Sequence, residues 1–564
     1  MALSSTSAAH AHAVLLNSLT EASNLYPKEE GVTYSYGTAG FRTLGAKLPA
    51  AVFRTALLAV LRSKRLEGAS IGVMITASHN PEPDNGVKIV DPSGEMLDPT
   101  WEQHATALSN CPSTDSLIST FTTLATHLHV DLSQPASIIF ARDTRPSGPD
   151  LVKALEAGLH AFGDNVKIKD VGVTTTPILH YVVKATNDQS GTYGAPTIEG
   201  YMQKMSKAFK ELVGIRGPLV PLFVDCANGV GSSAVDTMIP LIEDVLLLRP
   251  MNTATGTKGA LNDECGADYV KTKQAMPPNL AQLGTLDKPG TTGCSFDGDA
   301  DRIVFYYVED ATRTFKLLDG DKIATMAAVY FKELLLRTKL TGEEKLSMGV
   351  VQTAYANGSS TKYLESRDIP VECVQTGVKH LHHAAKKFDI GIYFEANGHG
   401  TVLFSPHAIE TLRKASPVTL EAGNAIRHLL NFYELINQAV GDAMSDMLLV
   451  EAVLAHKGWG SAEWNAGYQD LPNKLEKVIV PDRNHFVTYD AERRLSHPVG
   501  LQELVDIEVG KYEMGRAFVR PSGTEDCVRV YAEAKTKEDV EVLIGNVARL
   551  VQEASTGQSM VVAS

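Results

Sequence analysis

Closely spaced cysteine pairs are missing from this sequence. Its six cysteines stand at 111, 226, 265, 294, 373 and 527 with no C-x-x-C among them, which argues against a disulfide framework or a thiolate zinc site and fits a reducing compartment. There is no run of 18 or more apolar residues and no basic segment leading into an apolar core near the N-terminus. Neither a membrane span nor a secretory signal is therefore expected, and the cytosol is the default. Positive charge is in deficit: 52 Lys and Arg against 66 Asp and Glu give a formal net charge of −14 and a pI near 5.7. That balance argues against broad binding to nucleic acid or to an anionic membrane, and an anionic substrate would need Arg and Lys placed locally. What is present, 44% hydrophobic and 21% charged residues over 564 positions, reads as a soluble globular chain of roughly three to four domains.

The stretch that organises the rest is Ile75-Thr76-Ala77-Ser78-His79-Asn80-Pro81. Ile71 to Ile75 is continuously apolar, as a strand covered on both faces should be, and Asn80-Pro81-Glu82-Pro83 breaks the backbone after it. Ser78 is thus expected at the mouth of a strand, where open α/β sheets bind ligands. A turn in which Thr76, Ser78 and Asn80 satisfy local backbone groups explains the same residues. Upstream, Gly37-Thr38-Ala39-Gly40-Phe41-Arg42 is a glycine-flanked turn ending in a guanidinium suited to phosphate. Downstream, Asp84-Asn85-Gly86 carries the Asn-Gly signal of a hairpin turn, with Lys88 on the returning strand.

Asp297, Asp299 and Asp301 are spaced by two, so an extended segment would project all three carboxylates to one face. Three such charges repel unless a cation holds them, and Mg²⁺ with few carboxylates and phosphate oxygens fits. An EF-hand is excluded because Arg302 stands where that loop requires glycine and Val308 where it requires glutamate. Arg520-Pro521-Ser522-Gly523-Thr524 concentrates a guanidinium, two hydroxyls and turn N–H groups into an anion nest for one phosphate monoester. Arg529 on the next strand is either a second phosphate ligand or a plain surface charge. Glu395-Ala396-Asn397-Gly398-His399 alternates carboxylate, amide and imidazole, a set suited to sugar hydroxyls and equally compatible with a structural turn. Thr376-Gly377 precedes a predicted helix.

Strand-then-helix patterning recurs along the chain, and four units are expected: 1–190 with the serine loop, 191–307 with the aspartate loop, 308–463 with the Glu395–His399 loop, and 464–564 with the Arg520 loop. Residues 457–473 lack clear periodicity and read as a linker. The last unit, with strands near 516–520 and 527–533 and a closing helix over 537–554, reads as α+β.

Together, T-A-S-H-N-P, Asp297-Gly298-Asp299-Ala300-Asp301-Arg302 and Arg520-Pro521-Ser522-Gly523-Thr524 resemble the α-D-phosphohexomutases over nearly the whole chain. That resemblance implies four domains around a central cleft, three α/β domains with mixed sheets and a smaller C-terminal α+β domain. It also implies an intramolecular phosphotransferase that works through a phosphoserine and a sugar 1,6-bisphosphate. Ser78 would be the phosphoserine and, with Asp297, Asp299 and Asp301, a ligand of one Mg²⁺. His79, Lys88 and Arg42 would surround the transferring group, with either Lys88 or His399 as general acid/base. Thr376, Gly377, Glu395, Asn397, His399, Arg520, Ser522, Gly523, Thr524, Arg529 and Arg302 would bind substrate. In most of the family the R-D-T-R and T-T-P elements precede the serine loop, whereas here Arg142–Arg145 and Thr175–Pro177 follow it. This order, and Asn397 where many members have serine, are similar to the branch acting on N-acetylglucosamine phosphates. The implied reaction interconverts the 6-phosphate and the 1-phosphate and feeds UDP-N-acetylglucosamine synthesis. The alternatives are glucose or mannose phosphate specificity, or a non-enzymatic sugar-phosphate-binding protein. Its partner would be a small phosphosugar, with no nucleic acid and no membrane; oligomeric state is not legible.

Overall fold

The computed structural model describes residues 2–214, 220–284, 286, 290–522 and 527–556. The chain forms two compact units, Met1–Leu317 with Asn431–Ala452, and Leu318–Leu430 with Val453–Ser564.

The first unit holds two five-stranded mixed sheets. One runs Phe41–Leu44, Asp84–Val90, Ser70–Ile75, Ala136–Arg142, Val166–Val173. Ser70–Ile75 pairs parallel with Ala136–Arg142 and antiparallel with Asp84–Val90. Every residue of Ser70–Ile75 is buried, as a strand covered on both faces must be. The helix Pro49–Arg65 lays an almost wholly buried length on this sheet, and its Phe53, Leu57, Leu58 and Leu61 share one core with Ile71, Val73, Ile138 and Phe140. The second sheet runs Phe315–Leu318, Ile303–Val308, Thr292–Phe296, Leu222–Asp225, Leu248–Met251. Its antiparallel pair Thr292–Phe296 and Ile303–Val308 is joined by the aspartate loop.

The second unit holds a four-stranded mixed sheet, Val371–Val374, Met348–Thr353, Ile390–Phe394, Gly400–Phe404, and a three-stranded sheet, Asn473–Ile479, Cys527–Glu533, Arg516–Pro521. The latter is antiparallel throughout and covered by the helix Lys537–Ser555, whose Leu543, Ile544, Val547 and Val551 enter its core. Three mixed α/β sheets and one antiparallel α+β sheet are the expected fold class.

Two local expectations are corrected, and a third gains detail. Asn85-Gly86 is not a hairpin turn: both lie within the strand Asp84–Val90, with Thr43↔Asn85 and Arg42↔Gly86 in register, and the chain turns earlier, at 76–83. Glycine is required there by a close approach, since a Cβ would lie 2.5 Å from the Thr76 carbonyl oxygen and 2.7 Å from that of Phe41. Residues 457–473, expected as a linker, are locally ordered. They contain the short helix Ser461–Asn465, and Trp464 is buried with its indole N–H donating to the Lys322 carbonyl at 3.2 Å. The aspartate loop is a turn rather than an extended segment: Ala300 has φ +59° and its N–H donates to the Asp297 carbonyl.

All six cysteines are free thiols, and among the described residues no helix is long and apolar enough to cross a membrane.

Candidate active site

Ser78 leaves the end of its strand in the left-handed region, φ +51°. Its side chain is turned inward, 2% exposed, and Oγ donates to Asp297 Oδ2 at 2.5 Å. The turn is knit from its own sequence: Ser78 N–H donates to Thr76 Oγ1 at 3.1 Å, and that hydroxyl lies 2.7 Å from Asp143 Oδ2 and 3.1 Å from Asp299 Oδ2.

The three aspartates converge because their loop is tight. Asp297 Oδ1 accepts the N–H groups of Asp301 and Arg302 at 3.0 and 3.2 Å, a side chain capping its own turn. Asp299 Oδ2 accepts from Thr176 Oγ1 at 2.6 Å. One oxygen from each of Asp297, Asp299 and Asp301 lies within 4.8 Å of the others, and all three residues are buried. Burial first, then the charges of Asp301 and Asp299, push the Asp297 carboxyl well above its ordinary range. Asp299 Oδ1 is buried and accepts no hydrogen bond. An unsatisfied carboxylate oxygen inside such a cluster is the donor set a hard divalent cation takes, so these residues fit Mg²⁺.

Cations ring the acids. Lys88 Nζ lies 3.8 Å from Asp301 and 4.0 Å from Asp299, carried there by the strand Asp84–Val90. Arg302 Nε stands 3.9 Å from both Asp297 and Asp301, and its Nη1 donates to Asp268 at 2.8 Å. The other Asp268 oxygen accepts from His79 Nδ1 at 2.7 Å. With Nδ1 protonated, Nε2 is left to accept from Arg42 Nη1 at 3.4 Å, and the same Nη1 donates to Asn80 Oδ1 at 3.0 Å. Burial, then the nearby Arg302, lowers the His79 pKa, which agrees with a neutral ring. Burial alone would raise Asp268, but His79 and Arg302 hold it at about 2. The structure therefore brings Ser78, His79, Arg42, Lys88, Asp297, Asp299, Asp301 and Arg302 together in the first unit.

The other candidates lie in the second unit. Glu395–His399 forms the turn between Ile390–Phe394 and Gly400–Phe404: Glu395 N–H donates to the His399 carbonyl, Gly398 N–H to that of Glu395, and His399 N–H to Asn397 Oδ1 at 3.0 Å. The Asn397 side-chain amide oxygen is thus occupied in holding the turn. Thr376 and Arg520 are joined through Glu492, whose Oε2 accepts Thr376 N–H at 2.9 Å and Arg520 Nε at 2.8 Å. Gly377, at φ +128°, caps the helix Val378–Ala385. Arg529 is exposed and pairs directly across the sheet from Arg520. Ser522 is buried, with its N–H on the Cys527 carbonyl; Gly523 and Thr524 lie outside the described residues.

Asp268, Glu492, Thr176, Asp143, Arg145 and Asn262 went unread in the sequence as site residues. Arg142–Arg145 and Thr175–Pro177 were visible only as markers of chain order. Asp268 sits on an ordinary helix, Gly266–Lys273, and nothing local distinguishes it.

Comparison with known proteins agrees with this architecture. Family models of phosphoglucomutase/phosphomannomutase match residues 47–194 with the α/β/α domain I and 469–550 with the C-terminal domain. Models of phosphoacetylglucosamine mutase domains II and III match 198–304 and 319–459. The chain is 49% identical to phosphoacetylglucosamine mutase of Homo sapiens over 549 residues, 96% of this chain and 98% of that protein. It is 46% identical to the Saccharomyces cerevisiae protein of the same name, over 90% and 94% of the two chains. Among solved structures, Aspergillus fumigatus N-acetylphosphoglucosamine mutase in complex with GlcNAc-6P and magnesium superposes with a TM-score of 0.90 at 46% identity, covering 96% of this chain and 99% of that one. A serine-to-alanine variant of the same fungal enzyme, in complex with glucose 1,6-bisphosphate, gives 0.89 over the same shares. With such identity over nearly its whole length, the chain belongs to the phosphoacetylglucosamine mutase family of the phosphohexomutase superfamily.

Proposed function

We infer that this chain interconverts N-acetylglucosamine 6-phosphate and N-acetylglucosamine 1-phosphate, with Ser78 as the phosphoryl carrier. The observation that carries the reading is the Ser78 hydroxyl held 2.5 Å from Asp297 inside the acid cluster and its ring of cations. Phosphorylated Ser78 gives its phosphoryl group to the free hydroxyl of the sugar phosphate: the Oγ–P bond breaks, a new sugar O–P bond forms, and the hydroxyl proton leaves to a base. The resulting bisphosphate reorients, and Ser78 takes back the other phosphoryl group.

Arg42 and Lys88 face the transferring group, where their fixed positive charge lowers the barrier to phosphoryl transfer, and the neutral His79 ring stands beside them. Asp268 fixes the tautomer and orientation of the His79 ring and aims Arg302. Lys88 and His399 are the two candidates for the proton carrier. Asp297, Asp299, Asp301 and Ser78 would hold Mg²⁺, which neutralises phosphoryl oxygens when bound. Glu395, Asn397 and His399 are assigned to the sugar hydroxyls, and Thr376 and Gly377 to substrate binding. Arg520, Ser522, Gly523, Thr524 and Arg529 are assigned to the phosphate that is not reacting.

The test is phosphorus NMR of N-acetylglucosamine 6-phosphate incubated with purified protein, Mg²⁺ and a trace of sugar 1,6-bisphosphate. The 1-phosphate should appear, and peptide mapping should find the phosphoryl group on Ser78. Ser78→Ala should fold and show no turnover; an active Ser78→Ala variant would end the phosphoserine reading.

A further inference from the structure

The serine turn has hydrogen bonds of its own, Asn80 N–H to the Ala77 carbonyl and Asp84 N–H to that of Pro81, but the carbonyls of Ser78, Asn80, Pro81 and Asp84 all receive donors from outside it. Those four carbonyls converge on one buried side chain. Arg145, 0% exposed, donates Nη1 to the carbonyls of Pro81 at 2.6 Å and Asp84 at 2.8 Å, and Nη2 to those of Ser78 and Asn80, both at 2.8 Å. Its Nε donates to Asp143 Oδ2 at 3.0 Å, so all five N–H donors of the guanidinium are used. Asn262, from a different segment, donates its Nδ2 to the same carbonyls, Ser78 at 2.9 Å and Asn80 at 3.1 Å. Gly298 of the acid loop packs against the same place, where a Cβ would lie 2.6 Å from the Ser78 carbonyl oxygen and 2.9 Å from Asn262 Nδ2. Asp143, which orients Arg145, also lies 2.7 Å from the Thr76 hydroxyl that receives Ser78 N–H.

We propose that Arg145, assisted by Asn262, is a positioning residue for phosphoryl transfer: its fork is the template around which residues 78–84 wrap, and it keeps Ser78 in the left-handed conformation that points Oγ at Asp297. This rests on the functional reading of Ser78. The donors of neither residue serve the reacting oxygen: Asn262 Nδ2 is spent on backbone carbonyls, and Arg145 on backbone carbonyls and the Asp143 carboxylate. Their contribution is alignment, and an error of about 1 Å at a reacting atom costs about a hundredfold in rate. Lysine at 145 keeps the charge but loses the planar fork that engages these carbonyls together.

The test compares Arg145→Lys, Asn262→Ala and a control, Arg54→Lys. Arg54 is also buried in the first unit and donates to backbone carbonyls, those of Ala50 and Cys111, away from the serine turn. Arg145→Lys should lower kcat about a hundredfold with KM for the sugar phosphate within about threefold. Hydrogen exchange should quicken at the amides of 78–86. Arg54→Lys should lose thermal stability with kcat per folded molecule unchanged. Asn262→Ala should lose about tenfold in kcat, and this variant decides the question if Arg145→Lys does not fold. Normal kcat in folded Arg145→Lys or in Asn262→Ala, or a loss no greater than that of Arg54→Lys, would overturn the proposal. Absence of isomerisation by the unsubstituted protein would count against the functional reading alone, and the exchange comparison would still decide the clamp.

Discussion

At the scale of single residues, the acid cluster carries opposite demands. Three carboxylates within 4.8 Å repel one another in the bare protein, and the same repulsion is what a divalent cation relieves. Asp299→Asn removes one anion, so it should cost far more in rate than in stability. Its thermal midpoint should match or exceed the unsubstituted value while kcat falls by two or more orders of magnitude. EDTA should abolish turnover of the unsubstituted protein and Mg²⁺ restore it. Full activity in EDTA, or a normal rate for Asp299→Asn, would reduce the loop to a structural turn. The sequence announced these aspartates by their spacing but gave the wrong reason for their convergence. A tight turn capped by Asp297 gathers them, and that is visible only once Asp297 Oδ1 is seen to accept from residues 301 and 302.

At the scale of elements, apolar continuity and helical periodicity were the dependable signals. Ser70–Ile75 and Lys537–Ser555 stand where the residue pattern puts them, because burial on two faces or along one stripe leaves a mark in the residues themselves. Asn85-Gly86 misled because its glycine answers to the Thr76 and Phe41 carbonyls on neighbouring strands, information that is absent from the local sequence. Order within the 457–473 stretch was hidden for a like reason: Trp464 finds its partner at Lys322, far away in the chain.

Helix pairing in the second unit makes a separate prediction. His428 and His456 stack with centroids 4.6 Å apart and ring planes at 20°, and His456 is hydrogen-bonded to the Tyr330 hydroxyl. Burial first, then His456, Arg427 and Arg337, lower His428 to about 4. An unfolded histidine titrates near 6.5, so between those values the unfolded chain binds the extra proton and acid favours unfolding. Stability should therefore fall as pH drops from about 6.5 to about 4, and His428→Gln should flatten that part of the curve. Urea midpoints across the interval check this; the same slope in both proteins would acquit the histidine pair.

At the scale of the whole molecule, the remaining question is which sugar is preferred. The relatives are named for the N-acetylated substrate, and the fungal serine variant is described with a glucose bisphosphate. A site with room for an acetamido group at carbon 2 has little means of rejecting a smaller hydroxyl. Discrimination by filled volume amounts to about 1 to 3 kcal/mol, or about ten- to two-hundredfold. N-acetylglucosamine 1-phosphate should thus lead glucose 1-phosphate in kcat/KM by a factor in that range, with glucose phosphate turned over slowly. Side-by-side kinetics with the N-acetylglucosamine, glucose and mannose 1-phosphates decide it, and a lead for glucose or mannose would remove the substrate assignment while leaving the phosphoserine chemistry intact.

The left-handed backbone at Ser78 has a meaning for design. Holding an L-residue with a Cβ at φ +51° costs about 1 kcal/mol or more, a penalty glycine escapes. A sequence optimised for stability alone would write glycine at this position, and automated stabilisation of this scaffold would be drawn to make that change. The enzyme would come back from such a redesign sturdier and without its nucleophile.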